Sequence, residues 1–129
     1  MAVDALRKNR MMAYLLDALN MNTDIGHYGR LVFAMVARHF LTEEELIHYI
    51  RKNPGVTEEQ AKSLYLQVQG KEYSPPRRER ILEWQKEQAF PICPDPENPD
   101  SCNVYKDLKF PPEVYEHISE YYEQKAEPR

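Results

Sequence analysis

Residues 30–40 read RLVFAMVARHF and residues 41–47 continue LTEEELI, and this stretch decides the fold. From about Tyr28 to Phe40, apolar side chains fall on almost every side of a helical wheel. That distribution predicts a buried central helix rather than a surface one. Thr42 followed by Glu45 is a capping box, a hydroxyl and a carboxylate spaced to satisfy two otherwise orphaned N–H groups. The helix it opens has Leu46, Ile47 and Ile50 on its inner face, and Asn53-Pro54-Gly55 ends it.

Working outward, residues 4–20 place Met12, Leu15, Leu16 and Leu19 at helical spacing, so a first amphipathic helix is expected. Asn20, Asn22, Thr23 and Asp24 break it. Downstream, Thr57 with Gln60 repeats the capping-box spacing and opens a helix with Ala61, Leu64, Tyr65 and Val68 on one stripe. Gly70 stops that helix. Ser74-Pro75-Pro76 reads as an N-cap with prolines in a first helical turn, before a helix through Ile81, Leu82 and Trp84 to about Gln88. Residues 91–112 hold six of the ten prolines and both cysteines, which predicts an ordered or semi-ordered loop rather than a helix or central strand. Pro111-Pro112 opens a last helix with Val114, Tyr115, Ile118, Tyr121 and Tyr122. The expectation is an all-α fold: a compact bundle of about five to six helices with a long proline-rich loop before the last one.

The 129 residues are 42% hydrophobic and 29% charged, which bounds the answer to one globular domain over 1–129. No apolar run reaches the length of a membrane span, and the start MAVDALRKNRMM lacks the apolar core of a secretory signal. The two cysteines then read as thiols and the cytoplasm as the compartment. The net charge of −4 excludes a generic nucleic-acid coat, whose affinity comes from neutralising phosphates. The charge is uneven, with 12 Lys and Arg against 10 Asp and Glu over residues 1–80, and 5 against 11 over 81–129.

No phosphate-binding glycine loop, nucleophile elbow or paired-carboxylate motif is present, so no self-contained active site is expected. His39 and His48 lie on different predicted helices without metal-ligand spacing, and His117 sits in an acidic terminal helix. Cys93 and Cys102, in PICPDPENPDSCNVY, are two thiols in a loop. They are too few for a zinc or four-cysteine cluster site, and either small buried side chains or a reversible disulfide fits them. The sharpest feature is Asp24-Ile25-Gly26-His27-Tyr28-Gly29-Arg30. His27 and Arg30 flank a glycine at a helix start, where backbone N–H groups favour an anion and a guanidinium can grip a phosphate. The competing reading is a tight turn whose glycines only permit close packing. Arg77, Arg78 and Arg80, with Lys71 and Tyr73 before them, form a second basic cluster at a helix start. Cations are disfavoured there unless an anion or acidic partner joins them.

In order and spacing these features resemble the C-terminal iron–sulfur domain of the archaeal and eukaryotic DNA primase large subunit. The resemblance is carried by His27-Tyr28-Gly29-Arg30 leading into LVFAMVARHFLTEEELI, then VQGKEYSPPRRERIL, then Cys93-Pro94 and Cys102, and spans about residues 11–110. Met11 and Arg78 fall where two of the four cluster cysteines would stand. The resemblance therefore implies a degenerate domain with no [4Fe–4S] cluster, and no metal or cofactor is expected. It implies a non-enzymatic module for DNA replication that binds a template–primer junction or a 5′-phosphate. His27, Arg30 and Arg38 would lie at that site, with Tyr73, Arg77, Arg78 and Arg80 as backbone-contacting neighbours. The implied partners are single-stranded or primer–template nucleic acid, and with them a primase or polymerase subunit or another protein, but no membrane. The alternative is a protein–protein interaction module that keeps the fold without the nucleic-acid role, using Tyr115, Tyr121 and Tyr122 as anchors. A redox switch on Cys93 and Cys102 is the third reading.

Overall fold

A computed structural model describes residues 2–70 and 74–115, and among them every regular element is helical. The chain runs through α1 (Ala2–Leu6), α2 (Arg10–Asn20), α3 (Gly26–Ala37), α4 (Glu43–Ile50), α5 (Glu58–Gly70) and α6 (Arg78–Gln85). A 3₁₀ turn (Pro99–Cys102) and α7 (Val104–Asp107) follow, and the chain is helical again over 112–115. The all-α expectation holds, with more and shorter elements than five or six.

α3 is the core element. Val32, Phe33, Ala34, Met35, Val36 and Ala37 are all buried, an arc too wide for one neighbour to cover. Accordingly α2, α4, α5 and α6 all pack on it. α2 contributes Met11, Met12, Leu15, Leu16 and Leu19 to the same core, and α4 contributes Leu46 and Ile50. Both capping boxes form. Thr42 Oγ1 accepts from Glu45 N at 3.2 Å while Glu45 Oε1 accepts from Thr42 N at 2.9 Å. Thr57 and Gln60 make the same reciprocal pair at 3.1 and 3.0 Å.

The first predicted helix is divided. Asn9 is fully buried and caps α2, its Oδ1 accepting from Met12 N at 3.1 Å. Its Nδ2 meanwhile donates to Asn103 O at 3.2 Å and to Asp107 Oδ2 at 3.1 Å, tying the α2 start to α7. A helix running through position 9 would lose that cap, so a local side-chain bond overrides the apolar periodicity. α2 ends in a Schellman turn, with Asn22 at φ 57° and Thr23 N donating to Ala18 O at 2.9 Å.

Two further boundaries differ from expectation. Pro75 and Pro76 are buried ahead of α6 rather than inside its first turn, and Arg77 is the N-cap residue. α6 stops at Gln85 rather than Gln88, because Gln85 and Gln88 are used elsewhere. Gln85 Oε1 accepts from Cys93 N at 2.8 Å, and Gln88 clamps the start of α3. The proline-rich segment is ordered, and it contains the 3₁₀ turn and α7 where no helix was expected. Tyr14 donates to Pro91 O at 2.9 Å, Tyr105 donates to Pro75 O, and α2 and α6 both pack on the 3₁₀ turn.

Candidate functional site

The 24–30 turn is built by side chains from three separate places. Asn53, almost fully buried, accepts from Ile25 N through Oδ1 at 2.8 Å and donates through Nδ2 to Asp24 Oδ1 at 3.3 Å and to Pro54 O at 3.0 Å. Asp24 Oδ1 accepts from Gly26 N at 2.9 Å, and this bond, followed by the one from Asn53, holds the carboxyl below the usual carboxylate range. Gln88 Oε1 accepts from Tyr28 N at 2.9 Å, and its Nε2 donates to Ile25 O at 2.8 Å and to Phe90 O at 3.0 Å. Gly26 has φ +80°, and a Cβ there would lie 2.5–2.7 Å from the Gln88 amide. Glycine is required at Gly26 by both backbone and space. Gly29 is buried, and a Cβ there would press on Ile25 at 3.1 Å.

This arrangement changes how the turn can meet an anion. The N–H groups of Ile25, Gly26 and Tyr28 are taken by Asn53, Asp24 and Gln88, so the helix start is already capped from within. Arg30 lies one turn beyond His27 with its Nη1 3.4 Å from Asp24 Oδ1 and its side chain 23% exposed. A phosphate at Arg30 must share the guanidinium with that carboxylate.

His27 is exposed, and its ring sits edge-on to Tyr28 at 5.3 Å. Tyr28 stacks on Trp84 of α6 with centroids 5.5 Å apart and an 18° interplanar angle. The Tyr28 hydroxyl donates to Glu87, which pushes the phenol pKa up. The Arg80 guanidinium also lies over the Trp84 indole, 6.0 Å from the ring centre. His27, Tyr28, Trp84 and Arg80 thus form one continuous row. The row joins the two basic clusters read from the sequence, although they lie fifty residues apart in the chain.

The other expected site residues are dispersed. Arg38 is the C-cap of α3, at the opposite end from His27 and about 16 Å along the helix. There it lies beside His39, whose imidazole is pushed down to about 4, first by burial and second by the Arg38 charge. His39 Nε2 is buried with no hydrogen-bond partner among the described residues. Arg77 is half-buried at the N-cap of α6. Arg78 pairs with Asp100 and lies 3.6 Å from Glu79, so the cation at this helix start is answered by the chain's own carboxylates. Tyr73, with Lys71, lies outside the described residues, as do His117, Ile118, Tyr121 and Tyr122. Tyr115 is turned toward its own chain, its hydroxyl accepting from Phe110 N at 3.0 Å.

Cys93 and Cys102 are free, buried thiols hydrogen-bonded to one another, and Cys93 Sγ lies 3.2 Å from Ser101 Oγ. Burial and the Cys93 contact push the Cys102 thiol well above its ordinary pKa, and the Arg78 charge only partly opposes this. The Cys102 thiol is therefore held in the protonated, unreactive form. Met11 is fully buried in the core. The described residues hold no group of three or more His, Cys, Asp or Glu placed to bind a metal ion. No helix among them is long and apolar enough to cross a membrane.

Trp84 was readable from the sequence only as a member of the helix that runs through Ile81 and Leu82. The Arg80–Trp84 spacing of one turn was available as a signal, but the Tyr28–Trp84 stack was not. Comparison with protein-family models, with curated proteins and with solved structures finds no match to this chain.

Proposed function

We propose that this chain is a non-catalytic nucleic-acid-binding module that engages single-stranded or primer–template ends along the His27–Tyr28–Trp84–Arg80 row. The observation that carries the reading is the Tyr28–Trp84 stack, which converts two distant basic clusters into one aromatic and cationic strip. Strips of this composition suit unpaired strands. Bases stack on exposed ring faces without sequence preference, and guanidinium groups meet the phosphates between them. The acidic overall balance fits a short footprint better than a long electrostatic groove.

The resemblance to the primase large-subunit domain points the same way. What supports it is the meeting of the elements that carry positions 11, 78, 93 and 102. α2 and α6 both pack on the 3₁₀ turn bearing Cys102, and Cys93 touches Cys102. On this reading the place of a metal staple is taken by Met11 in the core and the Arg78–Asp100 pair at the surface.

The test is fluorescence anisotropy of a 5′-triphosphorylated primer–template end and of a single strand, at low and moderate salt. Trp84→Ala and Arg80→Ala are each expected to weaken binding about tenfold, from a stacking contribution of about 1–3 kcal/mol. Arg30→Ala is expected to weaken it less, because that guanidinium is already held by Asp24. Binding that ignores salt and survives loss of both Trp84 and Arg80 refutes the reading. Capture of a protein partner by a chain that ignores nucleic acid selects the interaction-module alternative instead.

A further inference from the structure

On the side of α3 facing α5 lies a half-open cavity of about 600 Å³ that shares only His27 with the proposed strip. That volume lies within the usual range of small-molecule sites. One polar wall comes from α5, through Glu59, Gln60, Ser63 and Gln67. Glu59, Ser63 and Gln67 are spaced four apart and so stand one above another on the face lining the cavity. Its apolar part comes from Ile50, Val56 and Leu64, and its opposite wall from Asp24, His27 and Arg30.

Charge decides the kind of ligand. Arg30 is committed to Asp24 at 3.4 Å, so that pair is internally balanced. Glu59, in the first turn of α5, has no hydrogen-bond or ion-pair partner among the described residues, and with Asp24 it sets two carboxylates against one guanidinium on the lining. An anion placed there would face two carboxylates for one guanidinium, whereas an ammonium would meet a free carboxylate flanked by a hydroxyl and an amide oxygen. The apolar patch beside it accepts a branched aliphatic body.

We infer that this cavity binds a small ligand carrying a primary ammonium group and an apolar body, the ammonium on Glu59 and the body against Ile50, Val56 and Leu64. The inference is separable from the nucleic-acid reading: His27 borders both surfaces, but Glu59 and Ser63 lie outside the His27–Tyr28–Trp84–Arg80 row.

The experiment is a two-dimensional amide NMR titration of the full chain with L-leucinamide, with N-acetyl-leucinamide as the probe lacking the ammonium. L-leucinamide is expected to shift the amides around Glu59, Ser63 and Gln67 saturably at roughly millimolar concentration, a weak affinity suited to a probe of few atoms. N-acetyl-leucinamide is expected to leave them unmoved. Glu59→Gln, an exposed and near-isosteric change, is expected to weaken L-leucinamide binding about tenfold or more. Trp84→Ala is expected to leave it unchanged while reducing nucleic-acid binding. Equal binding of the two probes, undiminished binding to Glu59→Gln, or no saturable shift with L-leucinamide overturns the inference.

Discussion

Gly26→Ala tests the construction of the 24–30 turn, and the structure separates its cost into two parts. The first is conformational. Gly26 sits at φ +80°, and a side chain held there costs about 1–2 kcal/mol. The second is displacement, because a Cβ at Gly26 comes within 2.5–2.7 Å of the Gln88 amide, which has to leave. Its departure strands Tyr28 N, Ile25 O and Phe90 O, now bonded at 2.9, 2.8 and 3.0 Å. For three partly buried bonds the loss is about 2–3 kcal/mol in total. Gly26→Ala is therefore expected to destabilise by about 3–5 kcal/mol, and Gln88→Ala alone by about 2–3 kcal/mol. In the Gln88→Ala background, Gly26→Ala should cost only its conformational part. Urea unfolding of the four chains at one temperature gives the coupling energy directly, expected at about 2 kcal/mol or more. Additive costs would mean that Gln88 does not hold the turn, and the clamp would be refuted.

His39 sets a pH dependence. Its folded pKa of about 4 lies below the ordinary 6.5, so between these values the unfolded chain binds more protons. Its contribution is complete above pH 6.5 and is lost as pH falls toward 4. After discounting for its partial exposure the loss is about 1–2 kcal/mol. The slope of unfolding free energy across that window should flatten in His39→Phe, which keeps a ring against Phe110. Thr42→Ala and Thr57→Ala each remove one half of a capping box and should each cost about 1 kcal/mol in urea unfolding. Equal stability of either variant with the parent would show that its box contributes nothing. Asn9→Ala removes a helix cap and the two bonds to the α7 region together. It should cost about 2 kcal/mol, and calorimetry should show a melting temperature lowered by several degrees.

The central helix, both capping boxes, the Asn53-Pro54-Gly55 stop and the all-helical class were legible without coordinates. Each depends on residues within a turn or two of one another, and at that range backbone propensity and hydrogen-bond spacing dominate. Thr42 finds Glu45 three residues on, and the apolar run from Leu31 to Ala37 cannot be solvated as a helix. The boundaries that moved did so because of partners far along the chain. Asn9 splits the first helix by bonding Asn103 and Asp107, and Gln88 leaves α6 to cap α3.

The candidate site divides in the same way. His27 and Arg30 could be singled out as a cationic turn, and Arg77, Arg78 and Arg80 as a second cluster, because their neighbours in the chain already made them electrostatically odd. Sequence could not say that Asp24, Asn53 and Gln88 take three of the donors of that turn, or that Asp100 answers Arg78. Nor could it say that Tyr28 and Trp84 stack. A single chain carries its local preferences openly, but which side chains meet across the core depends on how four helices crowd around α3. That packing is fixed by volume and burial over the whole molecule, not by any spacing along it.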